Sequence, residues 1–172
     1  MNLDYKVLLK YTGILIIIVF IQKTFINYIA LSDFNIIPDL VIIAIAYIGA
    51  KEGKIQGMLF GFFTGLLVDI LSGSFFGLSA LSYSLAAFIA GFFRTENDKF
   101  IYKWYFMITV FSSSLVANII YFSFYFQGTP LNFTFVLLSY VMTSSTYTTL
   151  ISFIYTIIPR KKEIDRRFIS ES

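Results

Sequence analysis

The chain contains neither cysteine nor histidine. Without cysteine there is no disulfide and no thiolate metal site, and the redox compartment is left open. Without histidine it lacks the usual catalytic base, the commonest metal ligand and the side chain that titrates near neutral pH. Charge is also scarce. Only 13% of the 172 residues are charged, against roughly a quarter in a soluble domain. No serine sits in a nucleophile-elbow setting, and no motif has metal-ligand spacing. The expectation is a protein with no catalytic residue, no metal, no cofactor and no nucleic-acid partner.

What the chain has in abundance is apolar surface. Hydrophobic residues make up 58%, with 21 Phe and 12 Tyr, which suits lipid contact and an interfacial aromatic belt. Six apolar segments stand out, at residues 8–29, 37–50, 55–71, 77–93, 104–126 and 133–158. A helix needs about 20 residues to cross a bilayer core. The second segment is short, so its flanks must contribute or the bilayer must thin around it. The expected fold is all-α: one polytopic membrane domain over residues 1–172, a compact bundle of six transmembrane helices.

The basic residues orient it. Twelve of the 13 Lys and Arg residues fall before or at the very start of the first segment, between segments two and three, between four and five, or after six. Only Lys23 falls on the other half. The positive-inside rule then places both termini in the cytoplasm. The first segment is too long for a signal-peptide core and lacks a small-residue cleavage motif, so it reads as a retained helix. Residues 160–172 read as a short basic cytoplasmic tail, either a topology anchor or a segment that touches anionic lipid.

Gly57, Gly61, Gly65 and Asp69 recur every four residues in the third segment, so they share one side of a helix. Glycines at that spacing let a second helix approach backbone to backbone. The approach serves either packing within the chain or docking of a partner. Gly49 and Gly53 extend the spacing backwards. Gly73 and Gly77 carry small residues through the next loop, with Ala87 and Gly91 offering a second strip. The short glycine-rich link 71–77 implies a tight antiparallel hairpin.

Asp69, Asp39 and Lys23 fall at one depth, toward the outer side. An unpaired charge at that depth costs several kcal/mol, so an intramembrane ion-pair or hydrogen-bond cluster is expected to join the first three segments. Lys23 has an alternative in snorkelling to the headgroups, and Asp39 in capping its own helix after Pro38. No helix cap accounts for Asp69, which makes it the leading candidate for a functional group. Asn118 is expected to face the bundle interior. The hydroxyls at residues 143–149 look like dispersed packing, and the aromatics look spread over every segment.

In order and spacing, several motifs resemble the bacterial rod shape-determining MreD family. They are Ile37-Pro38-Asp39-Leu40-Val41, the Gly57–Gly61–Gly65 ladder running into Leu66-Leu67-Val68-Asp69-Ile70-Leu71, and Gly73 and Gly77 followed by Leu78-Ser79-Ala80-Leu81 and Tyr83. The motif-bearing stretch runs from about Gln22 to Gly91. Gln22 sits where the family often has a glutamine late in the first span, so the resemblance adds it to the polar cluster of Asp69, Asp39 and Lys23. The resemblance implies a non-catalytic component of the elongation machinery in the bacterial inner membrane, which directs lateral peptidoglycan synthesis. Its implied partners are a bitopic MreC-like protein and, indirectly, the MreB filament, the RodA polymerase and its penicillin-binding transpeptidase, together with membrane lipid. It also implies a helical arrangement like that of the substrate-binding subunit of energy-coupling-factor vitamin transporters. That subunit is the rival reading, because the folds look alike.

Overall fold

The computed structural model describes residues 5–25, 37–73, 75–94, 103–128 and 132–157. The basic tail at 160–172, the loop at 32–36, residues 26–29 of the first apolar segment and Ser74 lie outside them. The described residues are helical apart from short connections, with no strand among them. The elements are α1 (Tyr5–Phe25), α2 (Leu40–Glu52), α3 (Lys54–Ser72), α4 (Leu78–Ala90), α5 (Lys103–Tyr125), α6 (Phe133–Val136) and α7 (Thr143–Ile157). A 3-10 turn, Gly91–Phe93, extends α4, and a π-helical stretch, Leu137–Met142, joins α6 to α7.

α2 is the hub. It packs against α1, α3, α4, α5 and α7. Val41, Ile42, Ile45, Ala46, Ile48, Gly49 and Ala50 are all buried. Its 13 residues span about 20 Å at 1.5 Å each, less than a bilayer core of about 30 Å. A helix enclosed by other helices has no lipid to match, so the expected mismatch is absorbed by protein. The core built on it takes Tyr11, Leu15 and Val19 from α1, Val68 from α3, Tyr83, Ala86 and Ala87 from α4, and Ala117 from α5.

The described exterior is far more apolar than that of a soluble protein, and the interior mixes an apolar core with buried hydroxyls. Ile17, Phe20, Phe63, Ile70, Ile108, Leu150 and Ile154 are exposed. Thr109, Ser113, Ser114, Ser145, Thr148 and Asp69 are buried. Burying hydroxyls and exposing branched aliphatics is favourable only where the surroundings are themselves apolar. Two helices among the described residues, Lys54–Ser72 and Trp104–Tyr125, are long and apolar enough to cross a membrane, each with mean hydropathy 1.6.

The glycine ladder is consumed inside the molecule. A Cβ on Gly61 would lie 2.5 Å from the Tyr83 carbonyl oxygen, and one on Gly65 would lie 2.4 Å from Ala80 Cα. On Gly57 it would meet Gly49 Cα at 2.5 Å, and on Gly49 the Ala87 carbonyl oxygen at 2.4 Å. So α3 lies backbone to backbone on α4 along most of its length, and on α2 at its start. Gly73 and Gly77 do not belong to this face. Space around both is open, and each has a positive φ, +61° and +93°. They make the sharp turn between α3 and α4, a conformation that side chains with a Cβ resist.

Candidate functional site

Asp39 stands at the meeting point of four helices. It is the N-cap of α2, and its Oδ1 accepts from the Ile42 amide at 3.1 Å. Gln22 of α1 reaches the same turn. Its side-chain amide donates to Asp39 Oδ1 at 3.3 Å, and its Oε1 accepts from the Val41 amide at 3.0 Å. Tyr83 of α4 donates its hydroxyl hydrogen to Asp39 Oδ2 at 2.6 Å. Thr148 of α7 accepts from the Asp39 backbone amide at 3.0 Å. Capping and assembly were alternatives for Asp39 in the sequence; the geometry combines them.

Asp69 points into the bundle, and a helix cap does account for it, contrary to expectation. Its carboxylate accepts three backbone amides from the start of the following helix: Gly77 at 2.8 Å, Ser79 at 3.1 Å and Ala80 at 3.3 Å. These are amides at the opening of α4 that have no intrahelical acceptor. Gly77, the N-cap residue, has no side chain to offer them. Asp69 is therefore a cap, supplied across the hairpin by the neighbouring helix, and it is 1% exposed. Its own carbonyl also accepts from the Gly73 amide at 3.1 Å, which closes α3. The signal was present in the eight-residue interval from Asp69 to Gly77, but only the hairpin geometry turns that interval into contact.

The expected charge cluster is thus divided. Gln22 and Asp39 are bonded to each other. Asp69 forms no bond with either, and Lys23 pairs with neither carboxylate. Lys23 Nζ instead donates to Ser72 Oγ at the end of α3, and Ser72 Oγ donates to the Val68 carbonyl at 2.6 Å. The cause is orientation: Asp69 faces α4 on the glycine side of α3, and its oxygens are taken by amides at the start of that helix.

Asn118 of α5 faces inward as expected. It donates to Ser114 Oγ at 3.2 Å and to Ser145 Oγ of α7 at 3.0 Å. The hydroxyls of α7 separate by role. Thr146 and Thr149 donate back to their own helix at 2.8 Å, whereas Ser145 and Thr148 serve α5 and α2.

Between these groups lies a cavity of about 560 Å³. Its lining includes Gln22, Lys23, Asp39, Tyr83 and Asn118, and an aromatic wall from Tyr121, Phe122, Tyr125, Phe126 and Tyr140. Aromatics occur on every helix, as the sequence shows, but a subset from α5 and the π-helical stretch comes together here. Tyr121 and Tyr125 stack at 5.6 Å, and Tyr140 lies 4.9 Å from Phe126 and 5.6 Å from Phe122 between ring centroids. Tyr140 comes from the π-helical stretch, a rare conformation that is frequent at functional sites. The chemistry on offer is hydrogen bonding, a carboxylate and aromatic faces, which together suit binding.

A protein-family model for the rod shape-determining protein MreD matches residues 8–97. The chain belongs to the MreD family. No curated protein and no solved structure matches it. The matched stretch takes in most of α1 and all of α2 to α4, and with them Gln22, Asp39, the glycine ladder, Asp69 and Tyr83. The family fits the apolar exterior of the fold, since MreD proteins are membrane proteins that determine cell shape. The aromatic wall and Asn118 fall on α5 and the π-helical stretch, outside the matched part of this MreD-family chain.

Proposed function

We propose that this chain is a non-catalytic membrane component of the bacterial cell-elongation complex, scaffolding lateral peptidoglycan synthesis. In this reading it is a single six-span domain in the cytoplasmic membrane with both termini cytoplasmic. Its direct partner is a bitopic MreC-like protein, and through it the MreB filament, the RodA polymerase and the penicillin-binding transpeptidase. The observation that carries the proposal is the family match over α1–α4. The six helical segments and the apolar exterior support the six-span reading, as does the one-sided placement of basic residues. The rival vitamin-transporter subunit has no support in the family match.

The glycine ladder is occupied by α4, so partner contact falls on other surfaces of the bundle. Affinity purification of the tagged chain from native membranes tests the proposal. Recovery of an MreC-like protein and wall-synthesis enzymes is the expected result. Recovery of ATPase subunits without them would overturn it.

A further inference from the structure

Two opposite charges line the same cavity without meeting. Asp39 accepts from three neutral donors, Gln22, Ile42 and Tyr83. A carboxylate has about four acceptor sites, so capacity remains, and no cation lies within salt-bridge distance of it among the described residues. Lys23 donates to Ser72 and has two further N–H groups. An anion buried without a counter-ion is unfavourable in an apolar surround. The helix N-terminus offsets part of that cost, and a ligand cation would offset more.

The wall beside these charges is aromatic. Tyr121, Phe122, Tyr125 and Tyr140 line the cavity with Asp39 and Lys23. Aromatic faces attract ammonium groups, most strongly where water is excluded. The volume of about 560 Å³ lies within the range of small-molecule sites, roughly 300–1,000 Å³. We propose that this cavity binds a zwitterion, with its ammonium group toward Asp39 and the aromatic wall and its anionic group toward Lys23. The zwitterion is a phosphoethanolamine-type group, either free or carried as the head of a membrane lipid.

The test uses the full chain reconstituted in phosphatidylglycerol nanodiscs. Isothermal titration with glycerophosphoethanolamine addresses the free source. Native mass spectrometry after exposure to phosphatidylethanolamine addresses the lipid source. Saturable binding of one molecule per chain in either arm is the expected result, and the arm that responds identifies the source. Ethanolamine and glycerol phosphate, the two halves of the head, should each bind at least 10-fold more weakly. Asp39→Asn keeps a capping side chain and removes the charge, and it should weaken zwitterion binding at least 10-fold. Lys23→Gln, at an exposed position, should weaken the zwitterion but leave ethanolamine unchanged, a pattern that general unfolding does not produce. Absence of saturable binding in both arms would overturn the proposal. So would equal retention of phosphatidylglycerol, or wild-type affinity in both variants.

Discussion

Asp69 satisfies three amides with one side chain, and its replacement separates charge from shape. Asparagine keeps one acceptor oxygen and offers an amide where the second oxygen was. Asp69→Asn should therefore lower stability by about 1–2 kcal/mol, the usual scale for losing a cap or a charge-assisted bond. Asp69→Leu leaves all three amides without an acceptor in a buried place, and should cost at least about 3 kcal/mol. Melting temperature in detergent and accumulation in the membrane are the readouts. Leucine melting with the wild type would end the capping account. Loss of partner binding by Asp69→Asn with unchanged stability would point instead to a direct role for the charge. At Asn118, leucine strands Ser145 and Ser114 hydroxyls that it now serves, and a loss of about 1–2 kcal/mol is expected in the same assay.

At the scale of the element, the hairpin of α3 and α4 depends on missing Cβ atoms. A side chain at Gly61 begins 2.5 Å from the Tyr83 carbonyl, which is backbone and cannot rotate away. Gly61→Ile should push α4 outward, cost about 3 kcal/mol and displace Tyr83 from Asp39. Leu66 lies off that face, so Leu66→Ile should be mild. Protein level and rod shape in a complemented cell compare the two, and equal performance would refute the close approach. The π-helical stretch before α7 shows the opposite case. No glycine or proline marks it in Leu137–Met142, and it was not expected from an apolar run with ordinary helical composition.

In the proposed topology, all basic residues except Lys23 fall on one side of a bundle whose described exterior is apolar and whose interior is partly polar. The six-span topology proposed above predicts that residue 97 is cytoplasmic and residue 74 external. The native chain has no cysteine, so single cysteines at these positions report cleanly. An impermeant thiol reagent should label position 74 in intact cells and spare position 97. The reverse pattern would overturn the orientation. Because α2 sits at the centre and touches five other helices, changes along its buried face should disturb the entire bundle, whereas changes on the outer face of α1 should be absorbed by lipid.

Composition and charge placement alone dictated a helical membrane chain, because both the hydrophobic run length and the positive-inside bias are local, additive properties. The four-residue repeat of glycine was equally legible, since it depends only on helical periodicity. So was the inward face of Asn118, where a lone amide in an apolar run has no favourable alternative. Tertiary structure decided what each polar group is bonded to. Asp69 meets α4 amides only because the turn at Gly73 and Gly77 folds the chain back. Asp39 meets Tyr83 and Thr148 across 44 and 109 residues of sequence. The aromatic wall exists only once α5 and the π-helical stretch are side by side. Bond partners set by packing are non-local, so periodicity and composition carry no record of them.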